Sequence, residues 1–429
     1  MKSICNEDRR CKRLSSTSCD KVMLPTSALP IQPLRYRQAK NRNQIMLENI
    51  DKVDWANLKH AYGSAVNIPE NIRNLASLDD EIRDRALNKL YGNIFHQGSR
   101  YEAAPYAIPF LYELIDSESI RDKHKLIYYL ISLALGYEEE YLPTGVNPRK
   151  FRSKLRNTEA DFTSEQIARN REYGYNTEAI IDCYDSVKYG IPILIKHLDD
   201  KDEQVRIAST YALSWFPEAA EKSAQELLKR ISQISDEIEM ANTILSIGLL
   251  NKQFEGKIDS SVIEKYLDSS SNLVRICSAI ALATNPISEQ VLTTLIEGIL
   301  LGNNLAHNNS IRFNEGRLSG YASITLSEYG KSEKYIIIPH LCKVLEKVNT
   351  YQSLDITSSI LELLNDQRTK PIKDEKLINL NSIEAMALEA IYKYGGWSLN
   401  GGVFINYTEL LKSAGIPESK VKLGLYLNE

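Results

Sequence analysis

The chain has 429 residues, of which 43% are hydrophobic and 25% charged, with a net charge of −4. That length exceeds one ordinary compact core, so two or three domains or one elongated array is expected. No apolar run approaches the roughly eighteen residues a membrane span needs. Six cysteines without a C-x-x-C pair disfavour a structural zinc site and a disulfide framework, and fit a reducing cytosol.

Residues 1–45 carry ten Lys/Arg against three Asp/Glu, which leaves the rest of the chain acidic. An acidic body argues against a dedicated phosphate-binding surface. The segment holds Arg9-Arg10, Ser15-Ser16-Thr17-Ser18, Cys5, Cys11, Cys19 and three prolines from Pro25 to Pro33. It has neither hydrophobic periodicity nor the apolar stretch of a secretory signal, so a disordered extension is expected. Helical patterning begins abruptly at Met46 with "MLENIDKVDWANLKHAYG", and Met46 is an alternative natural start.

Residues 46–136 read as N-terminal helical repeats. "LNKLYGNIF" completes a first helix, "HQGSR" turns, and "YEAAPYAIPFL" opens a second helix with Tyr101, Ala104, Ile108 and Leu111 on one face. Gly98 supplies the backbone dihedral that the turn needs. His96 is expected at the helix C-terminus, where its ring can satisfy free carbonyls. The competing expectation is a polar pocket on the rim, lined by His96, Gln97, Arg100 and Glu102. No Cys or Ser nucleophile lies nearby to give that pocket a reaction class.

Residues 137–177 interrupt the pattern and read as an insertion of about 40 residues, of the kind that projects from one face of a repeat array. Five of the eight residues from Arg149 to Arg156 are basic, and residues 128–189 hold eight of the 24 tyrosines. Tyrosine beside arginine is the composition of interface hot spots. Tyr137, Tyr141, Arg149, Arg152, Arg156, Tyr173 and Tyr175 are therefore the candidate partner-binding residues. An acidic protein surface is the expected partner, because arginine forks onto carboxylates.

Residues 178–395 contain a repeat. "LDDKDEQVRIASTYAL" from Leu198 and "LDSSSNLVRICSAIAL" from Leu267 lie 69 residues apart, two units of about 34. Between them "IEMANTILSIGLL" places Ile238, Asn242 and Ser246 where Val205, Ser209 and Leu213 stand, with Glu239 in place of Arg206. Shorter copies occur at "LDDEIRDRALNKL", "LSGYASITL" and "IEAMALEAI". A second pattern, Ile-Pro followed by apolar residues, recurs at Ile108-Pro109, Ile191-Pro192 and Ile338-Pro339 and predicts helix starts. The aspartate before Val-Arg is expected to cap its helix and to pair with an arginine of its own or a neighbouring unit. Residues 396–429, after Gly395-Gly396-Trp397, predict two short helices that close the last repeat.

Paired helices at this period predict an all-α fold, an α-solenoid of paired antiparallel helices. The two patterns together resemble the HEAT-repeat family over roughly residues 70–395; an armadillo or other helical repeat is the alternative. The block from "YGSAVNIPENIRN" to "YAIPFL", the "WFPE" after Leu213 and "GGWSLNGG" near the end are similar to a set of uncharacterised bacterial HEAT-repeat proteins. The resemblance implies protein binding, and some HEAT-like proteins serve as immunity partners of bacterial toxins.

Enzymatic motifs are missing. None of the six histidines is followed by glutamate, which removes the His-Glu pairs of the HEAT-like deoxyhypusine hydroxylases. No H-E-x-x-H, P-loop, G-x-S-x-G or dinucleotide fingerprint occurs. HEAT-like alkylpurine glycosylases need a basic concave surface, and only the 149–156 segment is basic. The expectation is a cytoplasmic, non-catalytic protein-binding scaffold or adaptor with no cofactor, no metal and no membrane contact. The alternative is a nucleic-acid-binding protein using Arg149, Lys150, Arg152, Lys154 and Arg156. Deleting residues 1–45 is expected to move the thermal midpoint by no more than a few degrees in a melting scan.

Overall fold

The computed structural model describes residues 46–301, 311–365 and 382–428. The expectations for residues 1–45, Cys5, Cys11 and Cys19 included, lie outside the described residues. What is described is all-α apart from three two-residue hairpins. Among the described residues no helix is long and apolar enough to cross a membrane.

The helices follow one another in short steps: α1 (Ile68–Asn74), α2 (Asp80–Asn93), α3 (Ala104–Asp116), α4 (Lys123–Leu135), α5 (Pro148–Ala160), α6 (Ser164–Glu172), α7 (Thr177–Tyr189) and α8 (Ile191–Lys196). The repeat region continues with α9 (Glu203–Leu213), α10 (Ala220–Ile231), α11 (Glu237–Gln253), α12 (Ser261–Glu264), α13 (Asn272–Leu282) and α14 (Glu289–Leu301). Beyond it lie α15 (Leu318–Tyr329), α16 (Lys334–Leu345), α17 (Thr350–Asn365), α18 (Ser382–Tyr394), α19 (Ile405–Ser413) and α20 (Lys420–Asn428). One row of neighbours runs α4, α9, α11, α13, α15, α17, α19, and a second runs α14, α16, α18, α20. The core is continuous along these rows.

The Val-Arg helices start where the sequence indicates, because each has a side chain to receive its free N–H groups. Asp79 caps α2, Asp202 caps α9, Asp236 caps α11 and Ser271 caps α13. In α9 and α13 the capping residue is thus the one three before Val, not the aspartate of the Leu-Asp pair, and Asp199 instead pairs with Arg230; in α2 the Leu-Asp aspartate, Asp79, is itself the cap.

The arginines link their helices to elements that follow: α2 to the start of α4, α9 to α11, and α13 to α14. Each donates Nη1 to the carbonyl six residues back: Arg83 to Ser77 at 2.9 Å, Arg206 to Asp200 at 3.0 Å, Arg275 to Ser269 at 3.2 Å. Each also reaches a carboxylate on a later helix or at its start. Arg83 binds Asp122 at 2.7 Å, Arg206 forks onto Glu239 at 2.7 and 2.9 Å, and Arg275 binds Glu297 at 2.7 Å. Glu239, which takes the arginine's place in its own unit, is therefore the acceptor for the unit before. Farther on, Arg317 contacts Asp355 at 3.3 Å, and the hydroxyls of Ser323 and Ser359 bond at 2.8 Å.

Two of the three Ile-Pro pairs are not helix starts. Pro192 opens α8, but Pro109 and Pro339 each lie inside a helix, α3 and α16. Both occupy the sixth helical position, where only one i−4 carbonyl loses its donor, and in α16 that carbonyl belongs to Tyr335, whose side chain is solvent-exposed. His96 is not at a helix C-terminus either. Helix α2 ends at Asn93, and His96 lies in a hairpin strand. At the C-terminal end, Trp397 donates its indole N–H to Ile391 O at 3.1 Å and so caps α18, while Tyr407 fills the space beside Gly395 and Gly396 and reaches Thr357 at 3.0 Å.

The Arg206–Glu239 fork is mostly buried, with side chains 22% and 9% exposed. Arg206→Ala or Glu239→Gln is expected to cost about 2–3 kcal/mol in urea unfolding, since removal of one partner strands the other. The double replacement Arg206→Met/Glu239→Leu should recover most of that loss.

Candidate functional site

Four loops meet beside α2, α4 and α7. The first is a hairpin of β1 (Lys59–His60) and β2 (Gly63–Ser64); the second is a hairpin of β3 (Phe95–His96) and β4 (Ser99–Arg100). The others are the start of the α4–α5 connection and the α6–α7 turn. Main-chain bonds tie them together: Ala61 N–H to Asn93 O at 3.1 Å, Ala103 N–H to Lys59 O at 3.1 Å, and Glu102 N–H to Gly174 O at 2.9 Å. Gln97 and Gly98 turn β3 into β4 with φ of 49° and 82°, the paired left-handed geometry that suits a two-residue hairpin.

The expected polar pocket of His96, Gln97, Arg100 and Glu102 does not form, because the strand pairing sends neighbouring side chains to opposite faces. Gln97 is exposed at the turn tip and His96 and Glu102 are half-buried, whereas Arg100 is only 5% exposed. The ring of His96 packs edge-on against Tyr62 at 5.5 Å. Arg100 instead points under the hairpin, donating to Gly98 O. Gly136 makes room for it: a Cβ there would sit 2.5 Å from Arg100 Nη1.

The first part of the 137–177 segment, as far as Phe151 on α5, is built into the body, which corrects the expectation of a projecting insertion there; α6 buries none of its residues and stays on the surface. Phe151 on α5 is buried between Tyr141 and Tyr184, with ring centroids 6.3 and 5.4 Å away. Val146 N–H donates to Gln253 Oε1 at 3.0 Å, and Glu138 is buried and accepts from Tyr211 Oη at 2.8 Å. Val146 ahead of the basic run, and Phe151 and Leu155 within it, are the physical reason, and these apolar positions are legible in the sequence.

The candidate partner-binding residues divide accordingly. Tyr137 and Tyr173 are 46% and 51% exposed, and Arg149 and Arg156 are exposed as well. Tyr141 and Tyr175 are half-buried, and burial raises both hydroxyl pKa values against the opposing pull of Arg100. Arg152 forks onto Asp185 at 2.7 and 3.0 Å, and Arg156 lies 3.5 Å from Glu178. Tyr62, 70% exposed, and Tyr101 also belong to this cluster. Sequence reasoning missed them because they lie outside the tyrosine-rich stretch; the turn signal Tyr62-Gly63 was the available clue.

Chemistry at the cluster is limited. Cys183, beneath Arg100, is buried, and that burial pushes its thiol up to about 12, so it stays protonated. No group of three or more His, Cys, Asp or Glu among the described residues is placed to hold a metal.

No family model matches this chain, and no curated protein matches it. Among solved structures, the crystal structure of an engineered protein aligns with 85% of this chain and 99% of its own, at 16% identity and a TM-score of 0.27. A likeness at that score assigns neither fold nor function.

Asp185 gives the cluster a measurable pH signature. Its burial pushes the carboxyl up, but hydrogen bonds from Arg152 and Lys188 outweigh that and hold it below the ordinary aspartate value. A folded-state pKa below the unfolded one contributes stability that is complete above about pH 4 and is lost as pH falls through the folded value. Asp185→Asn should therefore be less stable than the unaltered chain at pH 6. Denaturant midpoints of the two should converge as pH drops from about 5 toward 2.

Proposed function

We propose that this chain is a non-catalytic protein-binding scaffold: an α-solenoid of HEAT-like repeats that offers its tyrosine-rich loop cluster to a protein partner with an acidic surface. The observation that carries this reading is the convergence of Tyr62, Tyr137 and Tyr173, all exposed, on loops held by main-chain bonds to a helical frame. Tyrosine supplies large contact area at low side-chain entropy, and rigid backing lowers the ordering cost of binding. Arg206 and Arg275, two units apart and each joined to a carboxylate of a following helix, support the repeat assignment. Immunity-type pairing with a bacterial toxin, which the family resemblance suggests, is one setting for such a surface.

The sign of the partner follows from charge. Arg149, Lys150, Arg169 and Arg171 are exposed on this segment and form no ion pair with another described residue. The alternative of a nucleic-acid surface on 149–156 has less support, since Arg152 and Arg156 already face the chain's own carboxylates.

Replacing Tyr62, Tyr137 and Tyr173 together with alanine is expected to weaken partner binding at least tenfold, about 1.4 kcal/mol, with helicity by circular dichroism unchanged. The measurement is capture of cellular proteins on the immobilised chain followed by affinity titration of the captured protein. Undiminished capture by the triple variant moves the interface elsewhere. A steep loss of affinity with salt, together with recovery of nucleic acid, would favour the alternative.

A further inference from the structure

The guanidinium of Arg100 is the one feature of the loop cluster that the fold leaves incomplete. It is 5% exposed, and its only hydrogen-bond acceptor among the described residues is Gly98 O. Its Nε is buried without a partner. No carboxylate among the described residues pairs with it; the acidic group whose field reaches it is Glu140, itself exposed on the α4–α5 connection. Cys183 below stays a neutral thiol. Arginine does not shed its proton, so this is a buried positive charge with no counter-charge. That arrangement is costly unless something supplies one.

The glycines make room for the guanidinium and its cover. Nη1 lies where a Cβ of residue 136 would stand, and the Tyr137 ring lies over Gly98, where a Cβ would meet its Cε2 at 2.7 Å. Tyr141 and Tyr175 lie within the field of the guanidinium, and as O–H groups they can donate to an anion. With Nη1 engaged by Gly98, the Nε edge of the guanidinium remains, the edge that binds two oxygens of one carboxylate.

We infer that Arg100 is the receptor for a single carboxylate, presented by an acidic side chain of the protein partner. This deepens the scaffold reading and rests on it for the source of the carboxylate. Charge selects a carboxylate over a phosphate group. One guanidinium with no second base beside it balances a monoanion, and a dianion would also meet the negative field of Glu140. The exposed tyrosines form the rim that excludes water once the partner is seated.

The test uses the full chain and sodium butyrate as a monocarboxylate probe, against sodium phosphate and sodium chloride at matched ionic strength. A ligand that binds only the folded state raises the melting midpoint. Butyrate should raise it above chloride in the unaltered protein, and phosphate should not exceed butyrate. The increment should vanish in Arg100→Met, and in Gly136→Ala, whose new methyl crowds Nη1. In chloride, Arg100→Met should be no less stable than the unaltered chain, because a buried charge without a partner has been removed. Equal butyrate responses in the unaltered protein and Arg100→Met overturn the assignment, and a larger response to phosphate overturns the choice of carboxylate. Should both variants fail to fold, the Nε–H resonance of Arg100 in the unaltered protein decides: it shifts on butyrate titration or the assignment falls. Partner capture separates the two proposals. Capture that survives Arg100→Met leaves the scaffold standing and removes Arg100 from it. A butyrate response without any captured partner keeps the carboxylate site and removes the protein as its source.

Discussion

The structure depends on an arginine that is held at both ends. In α2, α9 and α13 the same side chain binds the carbonyl of its own entry loop and a carboxylate of the element beyond. The first bond fixes the loop that precedes the helix, and the second fixes the distance to a helix that follows. Hydrophobic burial supplies most of the stabilisation but is indifferent to small slips between helices. A planar fork with two fixed acceptors is not, so the arginines set the register in which the apolar faces meet.

The same logic of local anchoring builds the loop cluster. Residues distant in sequence, Lys59, Ala103 and Gly174, are joined by main-chain hydrogen bonds that leave their side chains free to be chosen for other purposes. Tyrosine has been placed on the outside of these loops and a lone guanidinium on the inside. The frame tolerates this because Phe151, Glu138 and Gln253 tie the intervening segment to α7, α9 and α11.

Helical content and the Val-Arg periodicity were legible in the sequence because both are local: caps, apolar spacing and a charged residue at a constant offset. Glu239 shows where that reading stopped. As a single position it looks like a lost arginine, and only the adjacency of α9 and α11 reveals it as the receiving carboxylate. His96 and Arg100 failed for a related reason. A hairpin of two-residue strands leaves almost no periodic trace, so the sequence favoured a continuous helix end and kept a shared pocket as the alternative, while strand alternation put the two side chains on opposite faces. The basic run from Arg149 to Arg156 looked like a free surface because its anchors, Asp185 and Glu178, belong to another helix. Tyr62 and its neighbours His96 and Tyr101 were invisible as a group, since their meeting depends on two separate hairpins.

The alternation of Arg206, Glu239 and Arg275 along α9, α11 and α13 carries a consequence for how such a chain can change over generations. Loss of the one unit bearing Glu239 would take away the carboxylate that Arg206 forks onto and leave α9 with a half-buried guanidinium that nothing offsets. Duplication of that unit alone would set a second glutamate where an arginine is needed. A lineage that lost the unit would therefore have to replace Arg206 or supply it with another acid, and one that duplicated it would have to replace one of the two glutamates.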